Sequence, residues 1–310
     1  MTLARKTLTG NLLFTANGVT TVLACTEMSC EMTSAPVFYD HTLASSAPSN
    51  YNAAPMGNIS PIQKKIHRYS PFAPKITASG IFCAGHHILM EQAIAVPGEN
   101  DRPAVTAVFY RGHDSGAQRP IQCISGAVIS SLDIEIPAGE AVTFSVEFVG
   151  INWRNTPPAG VPADGVVGLT CGKALTWDRC QVISSLGDVQ RMSLHIKNNL
   201  QIVYTGSPPS AISPGTGLPV IGITPRAIRP GMQEVGGSIS VFDFNAFDQR
   251  YGNNETIALT LKDPADDTDH KWKLGVAYAQ PGNKADGGIF AQSVNFSGVS
   301  TDTDGVWRQP

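Results

Sequence analysis

The sequence predicts an all-β protein of antiparallel sheets with one or two short helices. Three observations carry this. Apolar residues recur with a period of two along most of the chain. The 30 Gly and 22 Pro are many for a helical protein and ordinary for one made of short strands and turns. The order of segments in the first half also returns in the second.

The strands can be read one by one. Residues 128–136 run VISSLDIEI, with Leu132, Ile134 and Ile136 on one face and Ser131, Asp133 and Glu135 on the other. Residues 142–149 (VTFSVEFV), 257–261 (IALTL) and 237–244 (GSISVFDF) repeat the alternation. Such patterns mark half-buried antiparallel strands. Pro137, Ala138 and Gly139 supply a turn, so residues 129–148 read as a hairpin. The best helical segment is 87–95, with Ile88, Glu91, Gln92 and Ala93, stopped by Pro97 and Gly98; a second short helix is expected around 245–251.

The repeat has a definite order. LACTEMSCEM, a Pro/Ser/Asn-rich stretch over 36–70 and FAPKITASGIF in the first half answer to VQRMSLHIKN, a Gly/Pro/Ser-rich stretch over 206–219 and RAIRPGMQEVGGSIS in the second. A short helix and a strand follow in each half, VTAVFYR and IALTLKD, and the halves close on VEFVG and VNFSG. This alignment matches Gly80 to Gly237 and Gly150 to Gly298. We expect two tandem β domains, 1–151 and 169–310, joined by a linker over 152–168 whose NTPPAGVPADG is linker chemistry. A single decorated domain is the competing arrangement.

Structureless loops longer than about 15 residues are uncommon in compact domains unless they function. The 36–70 stretch carries Phe38, Tyr39, Tyr51, Met56 and Ile59, an apolar surplus suited to ordering against a neighbour. Assembly is the simplest expectation for it.

Composition bounds the rest. Hydrophobic residues at 42% and charged residues at 15% give ample core and no signature of disorder. A net charge of −3 argues against a general nucleic-acid coat, which needs a basic face. The run Leu12-Leu13-Phe14 is too short for a secretory signal core, and no stretch approaches the roughly 18 apolar residues of a membrane span. We therefore expect folding in the cytosol, no membrane partner, and six cysteines that are reduced and packed.

Motifs for chemistry fail on inspection. Cys171-Gly172-Lys173 lacks the Gly four residues before the Gly-Lys pair, where Val167 stands, and the hydroxyl after it, where Ala174 stands. Gly215-Thr216-Gly217 continues to Val220, which breaks the dinucleotide fingerprint. No C-x-x-C pair exists, and Cys25 and Cys30 are five apart, which places them on opposite faces of a strand. His86 and His87 beside Cys83 form a dense cluster, but adjacent side chains diverge and a loop-to-helix junction explains them. There is no G-x-S-x-G elbow. Asp133 and Glu135 have the spacing of an acid–base pair, and a solvated strand face is the simpler account. We expect no catalytic, cofactor or metal site, and no enzyme.

The second half, SLHIKNNLQIVYTG followed by PRAIRPGMQEVGGSISV and NETIALTL, resembles tail tube proteins of tailed bacteriophages. The matching residues are Ser193, Asn198, Asn199, Pro225, Pro230, Gly231, Gly237 and Ser238; GAVISSLDIEIPAGEAVTFSVEFVG in the first half resembles a strand pair of the same family. The likeness spans roughly the middle two-thirds of the chain and rests on the order of elements. It implies antiparallel β-sandwich tube domains flanked by a helix, six per ring, with a long loop reaching the next ring. It also implies a structural virion protein, assembled in the bacterial host cytoplasm, whose stacked rings form a conduit for DNA ejection. Many relatives carry one tube domain per chain, so two per chain favour a trimeric pseudo-hexamer. Implied partners are further copies, the tape measure, terminator and baseplate or tip proteins, a sheath if the tail contracts, and viral DNA passing without specific binding. On this reading Glu27, Glu31, Asp133 and Glu135 are candidates for the lumen, although Arg191, His195 and Lys197 stand on the comparable face of the second half. Phe38, Tyr39, Tyr51, Met56 and Ile59 are candidates for the inter-ring loop. A distal tail or tube-initiator protein of the same fold, and a carbohydrate-binding β-sandwich, are the alternatives.

Overall fold

The computed structural model describes residues 11–16, 19–31, 36–41, 64–69, 73–94, 105–110, 121–154, 172–204, 225–229, 231–241, 254–279, 292–299 and 307–308. The first half contains β1 (Asn11–Ala16), β2 (Val19–Glu31), β3 (Pro36–His41), β4 (Lys64–Tyr69), β5 (Lys75–Ile81), α1 (His87–Ala93), β6 (Val105–Tyr110), β7 (Ile121–Ile136), β8 (Thr143–Val149) and β9 (Asn152–Arg154). The second contains β10 (Cys180–Ser184), β11 (Gly187–Asn198), β12 (Gln201–Val203), β13 (Ala227–Arg229), β14 (Gln233–Val241), β15 (Asn254–Lys262), β16 (Asp269–Tyr278), β17 (Gln292–Gly298) and β18 (Trp307–Arg308). The fold is all-β and antiparallel, as the alternation predicts.

The pairings explain the repeat. β1 pairs with β2 and β6, β6 with β7, β7 with β8, β8 with β5, and β5 again with β2, closing a cycle of six strands. In the second half β10 pairs with β11 and β15, β15 with β16, β16 with β17, β17 with β14, and β14 with β11. The second cycle copies the first strand for strand. Even the accessories recur. Hairpins β3–β4 and β12–β13 leave at the same point of each cycle, and the short strands β9 and β18 add to β7 and β16. Antiparallel pairing of β7 with β11 fuses the two cycles into one 14-stranded sheet.

Period-two patterning decides which side chains face inward. Leu132, Ile134 and Ile136 of β7, Phe144, Val146 and Phe148 of β8, and Met192, Leu194 and Ile196 of β11 are all buried in one continuous core. Each such side chain contributes roughly 1.5–3 kcal/mol over its exposed state. The β7–β8 hairpin forms as expected, and Gly139 at φ +75° supplies the left-handed turn residue between its strands.

Five expectations change. Glycines 80 and 237 do not occupy equivalent places. A bulge interrupts β2 between Cys25 and Glu27 and β11 between Val189 and Arg191; Gly80 lies opposite Cys25, whereas the residue opposite Val189 is Val241. Matching VEFVG to VNFSG gives the same answer, because Gly80 faces Phe144 and Val241 faces Gln292, four residues before Phe148 and Phe296. Both glycines are nonetheless required by close approach. A Cβ would lie 1.8 Å from the Ala24 carbonyl oxygen at Gly80 and 2.0 Å from that of Ser193 at Gly237.

The β2 bulge also overturns the parity argument for its cysteines. One extra residue resets the alternation, so Cys25, Met28 and Cys30 all pack on the core side. The long stretch over 36–70 is not loop throughout, since β3 and β4 at its two ends pair with each other. Asn152 to Arg154, read as the start of a linker, form β9 against β7. Helix α1 stops at Ala93, two residues early, where Ile94 turns extended. The helix expected around 245–251 lies outside the described residues, as does most of the 152–168 segment.

Candidate functional site

The outward face of the sheet is the most distinctive surface of the molecule. It runs across β2, β5, β8, β7, β11, β14 and β17, strands that are neighbours in that order. Opposite the buried positions stand Glu27, Ser29 and Glu31, then Thr77 and Ser79, Ser145 and Glu147, Ser131, Asp133 and Glu135. Ser193, His195 and Lys197, Ser238 and Ser240, and Asn295 and Ser297 continue it. Short polar side chains tie the strands together: Ser29 bonds Thr77 at 2.8 Å and Ser193 bonds Ser238 at 2.8 Å. Glu147 accepts from Ser130 and lies 3.6 Å from Lys75 Nζ. Large apolar side chains on this side lie toward its margin, among them Ile81 at the end of β5 and Val149 at the end of β8, with Val128 of β7 opposite Val149.

All four acidic residues expected at a common surface fall on this face. Asp133 and Glu135 sit where β7 meets β11. There Asp133 pairs with His195, and Arg191 donates to Glu135 at 3.3 Å. Of the three residues that looked inconsistent with an acidic surface, Arg191 and His195 are thus the cross-strand partners of those carboxylates, and Lys197 lies opposite Ser131. Among the described side chains, Glu27, Glu31, Asp133, Glu135, Glu147 and Glu234 stand against Lys75, Arg191 and Lys197, a surplus of three negative charges. Glu27, Ser29 and Glu31 have β5 on one side, and no described strand lies along their other side.

A buried polar lock holds the two cycles together beneath this face. Asn198, 2% exposed, donates to the carbonyl of Ala93 at 3.0 Å and to that of Ile129 at 2.9 Å. Its side-chain oxygen accepts from Gln233, which also reaches the Ala93 carbonyl at 2.8 Å. The end of α1 and the bulged edge of β7 are therefore satisfied by residues of the other half. At the opposite end of α1, Gly85 N–H donates to Asp263 at 2.8 Å. His86, fully buried, accepts from Cys83 N–H and donates to the Val22 carbonyl, both at 3.0 Å; burial drives its pKa down to about 4 and keeps it neutral. The histidines at 86 and 87 are indeed a loop-to-helix junction, with the two rings diverging.

Lys173 and Ala174 run along the 82–84 segment, with Ala84 N–H donating to the Lys173 carbonyl and a β-bridge from Cys83 to Ala174. Burial pushes the Cys180 thiol up to about 12, away from nucleophilic use. Phe38 and Tyr39 lie on β3, opposite His67 and Ile66 of β4. Tyr51, Met56 and Ile59 lie outside the described residues. Asn198 was legible only as part of a family pattern, because nothing local says that an Asn in a strand will be buried against a distant helix end.

A sheet polar on one side, with a strand edge along which no described strand runs, suits a class before it suits a family: a β-structured subunit that assembles. The family model for phage tail tube proteins matches residues 7–298, and the chain belongs to that family. No match is found among curated proteins. The chain is thus a structural component of the virion tail, a tube subunit that associates with its own kind and with other tail proteins. Among the described residues no helix is long and apolar enough to cross a membrane.

Proposed function

We propose that the chain polymerises into stacked rings of three copies, each copy supplying two tube domains, 1–151 and 169–310 joined over 152–168. The observation that carries this is the strand-for-strand recurrence of the six-strand cycle. The β7–β11 junction inside one chain then serves as the pattern for junctions between chains. By the shared bulge, β2 holds the place in its cycle that β11 holds in the other, and its side beside Glu27 and Glu31 is open to the next chain. Three copies give six junctions, alternately within and between chains.

The polar face lines the bore in this reading, with Glu27, Glu31, Asp133 and Glu135 among its carboxylates. A surplus of negative charge repels a polyanion, and each phosphate–cation pair that does not form spares DNA a salt-sensitive point of attachment. Phe38, Tyr39, Tyr51, Met56 and Ile59 belong to the segment that contacts the next ring. Tape measure, terminator and baseplate or tip proteins bind the tube's interior and ends, and assembly occurs in the host cytoplasm before release. Negative-stain images of the purified chain test the polymer. Rings or tubes are expected, and monomers without order at high concentration contradict it. Deleting residues 44–60 should leave circular dichroism nearly unchanged while stopping elongation; tubes of normal length from that variant would remove the inter-ring role.

A further inference from the structure

We infer that His87, Glu91 and His270 form a site for one divalent transition-metal ion, Zn²⁺ by preference, that clamps α1 of the first half to β16 of the second. His87 and Glu91 are four residues apart on α1 and so share one side of it. His270 comes from β16, next to the β15–β16 turn, and one donor atom from each of the three lies within 4.8 Å of the others. Donors of a tetrahedral zinc site lie about 3.3 Å apart, given bonds of roughly 2.0–2.1 Å. Closing the remaining 1.5 Å or so needs only side-chain rotation. The two imidazoles now stack at 3.5 Å and 13°, and would fan apart to converge on the ion.

A buried carboxylate stands behind the same imidazole. His87 Nδ1 is buried without a hydrogen-bond partner, and Asp263 Oδ2 stands 3.5 Å away. That carboxylate is 8% exposed and held by the N–H groups of Gly85 and Ala265, each at 2.8 Å. With Nδ1 turned to Asp263, Nε2 is the nitrogen left for an ion. A small inward turn gives the carboxylate–histidine–metal arrangement that orients ligands in many zinc sites. Two imidazoles and one carboxylate suit zinc and its neighbours rather than magnesium or calcium, which take oxygen donors. The sequence, searched for cysteine spacing, gave no expectation of a metal. The pair on the helix is completed only by a residue from the other half.

The inference does not depend on tube formation. The full-length chain, stripped with a chelator, is titrated with Zn²⁺ by calorimetry and melted with and without the ion. One ion per chain is expected, with a rise in melting temperature that chelator reverses. Affinity should fall at least about tenfold in Glu91→Gln and His270→Gln and about 10–100-fold in Asp263→Asn, and stay unchanged in His67→Gln of β4. Absence of saturable binding by the wild type, or binding that survives His270→Gln undiminished, overturns the site. Zinc X-ray absorption on the wild type removes any dependence on variants that fail to fold. Two imidazoles in the first coordination shell are expected, and a sulfur shell contradicts the proposal.

Discussion

Two strand edges hold the same place in the two cycles and differ in charge. Counting from the shared bulge, Glu27 of β2 stands where Arg191 stands in β11, and Glu31 where His195 stands. The β11 edge meets Asp133 and Glu135 of β7 and pairs with both. Were β2 to take that position, Glu31 would lie directly opposite Asp133, and Glu27 diagonal to Glu135. Like charges directly opposite are destabilising in a sheet. The duplicated topology makes the two edges interchangeable by shape, and the charges make them distinct. In the proposed ring this would steer a first half to a second half, the order that alternating halves need.

The comparison can be broken at several points. Gly80→Val writes the second half's residue into the first, where a Cβ meets the Ala24 carbonyl. We expect a loss of about 3 kcal/mol in chemical denaturation. Asn198→Leu leaves the Ile129 carbonyl without its side-chain donor and the Ala93 carbonyl with Gln233 alone, and should cost about 1–3 kcal/mol, seen as a lower melting temperature. Replacing Arg191 and His195 together by Glu gives β11 the charge of β2. These groups are half exposed, so the loss should be only about 1 kcal/mol, and Asp133→Lys with Glu135→Lys should restore it. The reverse exchange, Glu27→Arg with Glu31→His, should leave stability within about 0.5 kcal/mol yet yield irregular or branched assemblies in micrographs. Smallest of all, Cys180 in the native chain should resist alkylation at pH 8, where a thiol of pKa about 12 is ionised to only about one part in ten thousand.

Much of this was readable from residues alone. Alternation gave β7, β8, β14 and β15 because a half-buried strand must alternate, and Pro137 to Gly139 gave the turn. The repeat was visible in order, but its register was not. Gly80 and Gly237 look alike as letters, while the bulges that set the register leave no mark in composition. The same bulge hid the common side of Cys25 and Cys30. The acidic quartet was placed on one face by parity, yet parity could not foresee that Arg191 and His195 would sit across from Asp133 and Glu135. That required knowing that β7 pairs with β11, a contact between strands some sixty residues apart in sequence.

In the proposed ring one chain supplies two tube domains. Electron cryomicroscopy of assembled tubes, with symmetry determined from the images, tests it most directly. The account predicts three chains per ring, six similar β domains around the bore, and strict threefold symmetry that looks sixfold at low resolution. Six chains per ring, with only one half of each chain facing the bore, would contradict it.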